Sequence, residues 1–270
     1  MVQIGMIEAL MRYPVKSMIG ESINSSVITK RGLLGDRAYA LIDQTSNKIV
    51  SAKNPKKWPD MFLYSAKYIS EPSIESLTNI QIMFPDNTYC NNTHKDIDKI
   101  LSSFLKHEVA LSSIVPKEVR LEEYFADIEE IQQKNHIVDA YMPNGTFFDL
   151  GNIHLITTST LEQFKIINPD SNFHVDRFRP NIIIRIDKNQ SGFIENSWVG
   201  KEIAIGNEVI LKINQACPRC VMTTLEQSNS PKDLNILKTI IKNNNGNAGV
   251  YAEVIREGTI KVNDVLQIML

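Results

Sequence analysis

β-Branched and apolar residues predominate in the first sixty residues, which predicts a series of strands there. In the stretch from Ser22 to Asp43, SINSSVITKRGLLGDRAYALID, the apolar run ends at DQTSN (43–47), and this sequence is typical of a hairpin turn. Further strands are predicted at MFLYSAKYI, EVRLEEYFADI and RPNIIIRID, and two more in the last 22 residues around the Glu-Gly turn at 257–258.

Three segments have the spacing of an amphipathic helix instead. Residues 91–108 place five apolar side chains on one face: Ile97, Ile100, Leu101, Phe104 and Leu105. Residues 153–168 pass from a strand to a helix, and residues 229–249 form the third helix. The predicted starts are a capping box at Thr93 and Asp96, a second at Ser159 and Glu162, and Pro231 in the first turn of the third helix.

The order of these elements decides the fold class. Residues 129–149 are polar and contain Pro143 and Gly145, so they are predicted to form a loop. Strands outnumber helices without a regular βαβ alternation, and neither GxGxxG nor GxxxxGK[ST] occurs. The sequence therefore predicts a mainly β protein with a few helices (α+β), with barrel-like domains at 1–118 and 119–270.

Composition excludes several classes of function. The 270 residues carry 29 basic and 31 acidic side chains, a net charge of −2, which disfavours a nucleic-acid partner. The N-terminus lacks the pattern of a signal peptide, and no stretch approaches a membrane span of 18 or more apolar residues. Three cysteines do not make a disulfide framework, so we expect a cytoplasmic protein.

Two of the cysteines, Cys217 and Cys220, form a Cys-x-x-Cys pair. A zinc site is disfavoured because the five histidines and Cys90 supply no matching second pair. A redox pair needs a helix after the first cysteine, whereas VMTT (221–224) favours a strand. Two buried thiols remain one interpretation. A single thiolate ligand on a stiff turn is another, favoured by Pro218 and the cation Arg219.

Six ordered motifs extend over nearly the whole chain and resemble the MOSC family. They are YPVKS (13–17), GLLGDRAYALID (32–43), GTFFD (145–149), DRFRPNIII (176–184), CPRC (217–220) and GVYAEVIREGTIKVND (249–264). The resemblance is to the branch with a MOSC N-terminal β-barrel domain, which includes the mitochondrial amidoxime-reducing component and its bacterial relatives. It implies a MOSC β-barrel domain that follows an N-terminal β-barrel-like domain.

That resemblance also implies a molybdenum cofactor, Mo-molybdopterin, with one protein cysteine on the metal. The family's ligand corresponds to Cys220, which makes Cys220 the metal-binding and catalytic residue and Cys217 a neighbour. The family's cofactor contacts correspond to Lys16, Ser17, Arg37, Thr157, Thr158, Arg179, Asn181 and Arg219. At the position of Thr157 and Thr158 the relatives often have serine. Arginine and lysine suit the cofactor's phosphate.

Several of these residues also have an ordinary structural interpretation. Lys16 and Arg37 could be solvated surface charges, and Arg179 could pair with Asp176 or Asp187. Asn181 could satisfy a turn. His154 and His174 are expected to be structural, whereas His136, on the predicted loop, could face a substrate channel.

Two functions follow from the resemblance. The first is a molybdenum-dependent oxidoreductase that reduces N-hydroxylated compounds, such as amidoximes and hydroxylamines, by two-electron oxygen removal. The second is a sulfur carrier or cofactor-handling protein that uses a persulfide on Cys220. Molybdenum cofactor sulfurases, which carry MOSC domains, bring pyridoxal phosphate binding into consideration, but this chain has no pyridoxal-phosphate desulfurase portion.

The resemblance further implies a separate electron donor. Some bacterial relatives append a ferredoxin domain, whereas this chain stops at Leu270 and lacks cysteines for an iron–sulfur cluster. We therefore expect a ferredoxin-, flavodoxin- or cytochrome-type partner protein, together with a small-molecule substrate, and no membrane span.

Overall fold

The computed structural model describes residues 1–132, 134–186, 190–227 and 230–269, and strands predominate in it. The strands are β1 (Val2–Arg12), β2 (Glu21–Ile23), β3 (Ser25–Thr29), β4 (Gly32–Leu33), β5 (Ala40–Asp43), β6 (Ser65–Tyr68), β7 (Ile80–Met83), β8 (Tyr89–Asn91), β9 (Val109–Ser112), β10 (Arg120–Phe125), β11 (His136–Tyr141), β12 (Ile153–Thr157), β13 (Ile182–Arg185), β14 (Glu202–Ile205), β15 (Val209–Pro218), β16 (Asn247–Arg256), β17 (Gly258–Lys261) and β18 (Val265–Ile268). The helices are α1 (Ile97–Leu105), α2 (Thr158–Ile167) and α3 (Asn235–Asn244). The mainly β, α+β fold class is confirmed.

The chain divides into two compact units that interleave along the sequence. The barrel unit consists of Met1–Met11, Ser22–Leu34 and Gly151–Leu270, and the small-sheet unit consists of Arg12–Glu21 and Gly35–Leu150. The predicted domains at 1–118 and 119–270 stay a prediction, because compact units and family domains need not share boundaries. No helix in the described ranges is long and apolar enough to cross a membrane.

A closed barrel of seven strands forms the barrel unit. Its order is β13-β12-β16-β15-β14-β18-β1, and β1 closes it by pairing antiparallel with both β13 and β18. Closure removes the unpaired edges that an open sheet would expose. The interior is filled by fully buried aliphatic side chains such as Ile7, Leu155, Leu211 and Leu266.

Helices α2 and α3 contribute to a second apolar cluster of the barrel unit. Phe164 of α2 stacks on Phe173 and Phe178, and Ile236 and Ile240 of α3 belong to the same cluster. The burial of this aromatic group positions the segment that leads from α2 to β13, where DRFRPN lies.

The small-sheet unit contains three short sheets and α1. Strand β5 pairs with β9, β10 pairs with β11, and β6, β7 and β8 form a three-stranded sheet. Ile49 forms isolated bridges to Ile42 of β5 and to Leu121 of β10 and so links two of these pairs, and the cluster around Leu121 and Phe147 is buried. The turn predicted at 43–47 is present, since the Asp43 N–H donates to the Lys48 carbonyl at 2.9 Å.

Several local predictions were wrong. The predicted loop 129–149 contains β11, which pairs with β10 along its whole length. Residues 61–63 form a 3₁₀ turn before β6, and 221–224 form a 3₁₀ turn instead of a strand. Neither predicted capping box forms, because α1 begins after Asp96 and the hydroxyl of Thr157 caps α2. Helix α3 begins at Asn235, four residues after Pro231.

Candidate functional site

The Cys-x-x-Cys pair lies where β15 ends. Cys217 is inside the strand and fully buried, whereas Cys220 immediately precedes the 3₁₀ turn 221–224 and is partly exposed. The N–H and the hydroxyl of Thr223 both donate to the Cys220 carbonyl, at 3.2 and 3.0 Å. The backbone therefore fixes Cys220 at the start of the turn, in a partly exposed position.

Cys217 is held by charged and polar neighbours. Nη1 of Arg219 donates to its sulfur at 2.8 Å. Burial alone would raise the pKa of the Cys217 thiol, but the charges of Arg219 and His154, with hydrogen bonds from His154 and Tyr251, lower that pKa to about 6. The lowered pKa favours the thiolate form of Cys217, with Arg219 as its counterion.

Arg219 joins the two cysteines to the segment before β13. Its Nη2 donates to the Phe178 carbonyl at 2.8 Å, and its backbone N–H donates to the Gly246 carbonyl at 2.8 Å. Burial lowers the pKa of Arg219, but the negative charges of Cys217 and nearby groups together raise it by more, so the pKa lies above its ordinary value. Its Nε is buried without a hydrogen-bond partner among the described residues.

Arg179 and Asn181 follow Phe178 in the same segment. Arg179 is 7% exposed and left-handed, with φ at 53°. The carboxylate of Asp176 contacts His174 at 3.2 Å, and Asp187, the other alternative partner of Arg179, lies outside the described residues. Asn181 accepts from the His154 N–H at 3.1 Å and donates to the Met11 carbonyl at 3.3 Å, so its amide joins neighbouring strands.

Thr157 and Thr158 belong to a different group, at the start of α2. The Thr157 hydroxyl donates to Glu195 at 2.8 Å and accepts from the Thr160 N–H at 3.1 Å. The Thr158 hydroxyl accepts from the Ile186 N–H at 3.2 Å. Both side chains therefore stabilise the strand-to-helix junction, and their predicted contact with a cofactor stays a prediction.

Lys16 lies in a separate cluster inside the small-sheet unit. It is only 4% exposed, and its Nζ donates to the Phe147 carbonyl at 2.9 Å and to Asp149 at 2.8 Å. Lys53 approaches the same carboxylate oxygen at 3.4 Å. Burial raises the pKa of Asp149, but Lys16 and Lys53 lower it well below its usual range. For Lys16, burial lowers the pKa more than Asp149 raises it.

Arg37 and Ser17 lie in the same unit and are also engaged by the protein. The guanidinium of Arg37 forms an ion pair with Asp36 and lies 4.3 Å from the Tyr13 ring centroid. The hydroxyl of Ser17 accepts from the Ala52 N–H at 3.1 Å. Since Lys16 is buried and Arg37 is largely buried, neither is a solvated surface charge.

Sequence reasoning missed several partners of these residues. His154 and Tyr251 approach Cys217 from β12 and β16, and Lys53 approaches Asp149, although these residues lie far apart along the chain. The sequence could have singled out Asp149, the partner of Lys16, and Arg177, which lies two residues before Arg179, because each belongs to one of the six motifs. His136 begins β11 and is exposed; its role in a substrate channel stays a prediction.

The donor set of the barrel unit fits a group that brings its own metal ligands. No cluster of three or more His, Cys, Asp or Glu side chains that could hold a metal exists within the described ranges. Cys220 offers one partly exposed thiol, and Arg219 offers a buried Nε donor that still lacks a partner in this part of the chain. A soft metal within an anionic cofactor matches one thiolate and one arginine.

Two family models match this chain. One describes a MOSC N-terminal beta barrel domain and matches residues 4–79; the other describes a MOSC domain and matches residues 146–267. Mitochondrial amidoxime reducing component 2 of Bos taurus is 25% identical over 97% of this chain and 82% of its own length. Molybdenum cofactor sulfurase of Bombyx mori is 31% identical, but over 37% of this chain and 11% of its own length. The YUAD protein structure from Bacillus subtilis aligns with 98% of this chain and 94% of its own, with 10% identity and a TM-score of 0.49.

Proposed function

Because the chain belongs to the family that combines a MOSC N-terminal beta barrel domain with a MOSC domain, we propose that it is a molybdenum-cofactor-dependent oxidoreductase of N-hydroxylated compounds. Amidoximes and hydroxylamines are the proposed substrates. The similarity to mitochondrial amidoxime reducing components over nearly the whole chain supports this choice of chemistry. The reaction breaks one N–O bond, consumes two electrons and two protons, and releases water.

The different surroundings of the two cysteines carry the proposal. Cys220 is partly exposed at the start of a fixed turn, whereas Cys217 is fully buried and accepts a hydrogen bond from Arg219. We therefore assign the metal to the more exposed sulfur, Cys220, and assign to Cys217 the role of holding the guanidinium in place. A dithiol mechanism would need both sulfurs to be accessible.

The chain's own residues would bind and orient the cofactor. When bound, the molybdenum cofactor supplies two-electron oxygen transfer. Cys220 would supply the thiolate ligand, and Arg219 and Arg179 would hold anionic groups, with the free Nε of Arg219 as one donor. The assignments of Lys16, Ser17, Arg37, Thr157, Thr158 and Asn181 as cofactor contacts rest on the resemblance.

A separate electron-donor protein completes the proposal. Cys90 is buried, and the other two cysteines are Cys217 and Cys220 of the candidate site, so this chain offers no cysteine set for an iron–sulfur cluster. A ferredoxin-, flavodoxin- or cytochrome-type protein would deliver the two electrons.

A sulfur carrier is the second candidate function. The 101-residue match to molybdenum cofactor sulfurase and the partly exposed thiol of Cys220 favour it. In this function the Cys220 thiolate would attack the outer sulfur of a persulfide on a desulfurase cysteine; the S–S bond of that persulfide would break, the desulfurase cysteine would leave as a thiolate, and the persulfide would then be on Cys220.

Substitution of each cysteine tests the ligand assignment. We expect Cys220→Ser to abolish molybdenum-dependent reduction without unfolding the chain, because a hydroxyl is a poor ligand for a soft metal. Cys217→Ser is the matched control and should retain molybdenum and most activity, at lower stability. Activity and bound molybdenum are measured together; equal losses in both variants would instead indicate a dithiol mechanism.

An assay with benzamidoxime separates the two candidate functions. Cofactor-loaded protein with an artificial reductant should convert benzamidoxime to benzamidine without a partner domain, because the bound cofactor would supply the chemistry and the reductant would replace the electron-donor protein. A sulfur carrier would show no turnover, but would gain about 32 Da at Cys220 on incubation with a desulfurase, as one added sulfur atom requires. That second pattern, measured by mass spectrometry, would replace the oxidoreductase proposal.

A further inference from the structure

Arg177 is a buried cation in the barrel unit that backbone carbonyl groups surround. It is 1% exposed. Its Nε donates to the Asn172 carbonyl at 2.8 Å, and its Nη2 donates to the Pro231 carbonyl at 2.6 Å. Nη1 donates to the carbonyls of Thr223 and Leu225, at 3.0 and 2.9 Å. A guanidinium has five N–H donors in a rigid fork, and this arrangement uses at least four carbonyl acceptors.

Two of these acceptors belong to the turn that begins at Cys220. Thr223, whose carbonyl binds Arg177, donates its own N–H and hydroxyl to the Cys220 carbonyl. Leu225 closes the same turn through its N–H, which donates to the Met222 carbonyl at 3.3 Å. Arg177 therefore holds the C-terminal end of the turn. The hydrogen bonds from Thr223 to the Cys220 carbonyl in turn hold Cys220 in place.

Arg177 also lies in the same segment as Arg179, before β13. Arg177 lies two residues before Arg179, and the Phe178 carbonyl between them accepts from Arg219. Two side-chain hydrogen bonds strengthen the same junction: Ser171 donates to Asp233 at 2.6 Å, and Asn172 donates to Ser230 at 3.1 Å. The segment 171–179 and the chain after Cys220 are thus joined at several points, with Arg177 in the buried centre.

We propose that Arg177 is a positioning residue that fixes the Cys220 turn against the segment carrying Arg179. Its guanidinium is held by backbone carbonyl groups, and it sets where the Cys220 thiol lies relative to the Arg179 and Arg219 guanidinium groups. This role applies whichever group binds Cys220, and so it does not depend on the molybdenum proposal.

The chemistry of the site requires arginine in particular. Lysine would keep the positive charge, but its single ammonium group cannot reach carbonyls on opposite sides as the planar fork does. Glutamine would remove the charge and leave buried carbonyl groups without donors. Arg177→Lys is therefore expected to have an intermediate effect and Arg177→Gln a larger one.

Hydrogen exchange and alkylation of the full chain test this proposal. Protein is prepared in a host that makes no molybdopterin, so that no cofactor competes with the alkylating reagent at Cys220. In Arg177→Gln we expect exchange of amides 221–225 and alkylation of Cys220 by iodoacetamide to increase by about tenfold or more, because each lost charge-assisted hydrogen bond weakens the closed turn by that order. Arg177→Lys should give a smaller increase in both rates.

Leu211→Ala is the matched control, because it removes buried apolar contacts of the barrel without touching the turn. It should lower the global unfolding temperature but leave the relative exchange of 221–225 and the Cys220 alkylation rate near wild type. If Arg177→Gln does not fold, the amide exchange of 221–225 and the Cys220 alkylation rate of Arg177→Lys test the proposal. Uniform acceleration of exchange across the barrel, or unchanged Cys220 reactivity in the folded variant, would overturn the proposal.

Discussion

Glu195 is a buried carboxyl group that the proposed chemistry does not use. It lies in the barrel unit, and the hydroxyl groups of Thr157 and Thr160 donate to it at 2.8 and 2.7 Å. Burial raises the pKa of Glu195 more than these hydrogen bonds lower it. The folded protein therefore retains the proton of Glu195 to higher pH than the unfolded chain does.

The raised pKa of Glu195 makes stability depend on pH in a definite direction. Because the folded pKa exceeds the unfolded value of about 4.3, the free energy of unfolding should fall as pH rises from that value through the folded pKa. Glu195→Gln keeps an acceptor for Thr157 and Thr160 but cannot ionise, so it should flatten this part of the profile. Urea unfolding at a series of pH values measures it; Asp176→Asn, at a partly exposed site, is the control. A variant profile as steep as that of wild type would contradict the assignment.

Residue types near Cys220 were predictable from the sequence, but their contacts were not. The pattern CPRC placed a cation beside a thiol, and the structure confirms that Arg219 contacts a cysteine. That cysteine is Cys217, which is buried beside His154 and Tyr251 near the end of β15, whereas Cys220 lies beyond the strand end. The pairing of Lys16 with Asp149, 133 residues apart, depends on tertiary folding and has no local signal.

At the scale of elements, β12 and β16 pair antiparallel and leave no room for a side chain at Gly249. Gly249 of β16 has φ at 79°, and a Cβ there would lie 2.4 Å from Nε2 of His154 and from the Leu155 carbonyl oxygen. A side chain at Gly249 would therefore separate the two strands that carry His154 and Tyr251 to Cys217.

Gly249→Ala and Gly246→Ala should differ strongly in stability. Gly246 has nearly the same φ, 77°, but open space around its Cβ position. Gly246→Ala should cost about 1–2 kcal/mol from the left-handed backbone alone. Gly249→Ala should cost at least about 3 kcal/mol, because overpacking against fixed backbone adds to that cost. Denaturant unfolding compares the two; similar losses would mean that β12 and β16 separate easily.

The sequence predicted the type of element correctly where the hydrophobic periodicity was strong. The strand-to-helix passage at 153–168 was predicted because aliphatic residues give way to helical spacing, yet the cap is Thr157 and not Ser159, since either hydroxyl satisfies the local pattern. Strand β11 was missed because its sequence, HIVDAY, is bounded by polar residues and exposed along most of its length. Its pairing with β10 supplies the order that its own sequence does not indicate.

At the scale of the whole molecule, the barrel unit takes strands from both ends of the chain. Residues 119–270 contain six of its seven barrel strands but lack β1, and with it the pairings to β13 and β18. They also lack β3, which pairs with β17. The sequence predicted two barrel-like domains but not this exchange, because strand pairing over 260 residues leaves no trace in local periodicity.

A fragment of residues 119–270 should therefore not fold cooperatively alone. Two exposed strand edges and an uncovered apolar interior would remain where β1 is absent. Co-expression with a peptide of residues 1–34 should restore a cooperative thermal transition, followed by circular dichroism, whereas a peptide of residues 35–68 should not. Cooperative unfolding of the fragment by itself would support a domain boundary near 118–119.

The closure of the barrel by β1 also has a consequence for biosynthesis. Ile7 and Leu10 of β1 pair with β13 and can do so once residue 184 has been made, but Val2 pairs with Ile268, so β1 meets β18 only once synthesis has reached residue 268. At about 5–20 residues per second, β1 waits on the order of ten seconds to a minute for this second pairing, and the barrel stays open until then. A message truncated before β18 therefore yields a product that cannot close its barrel.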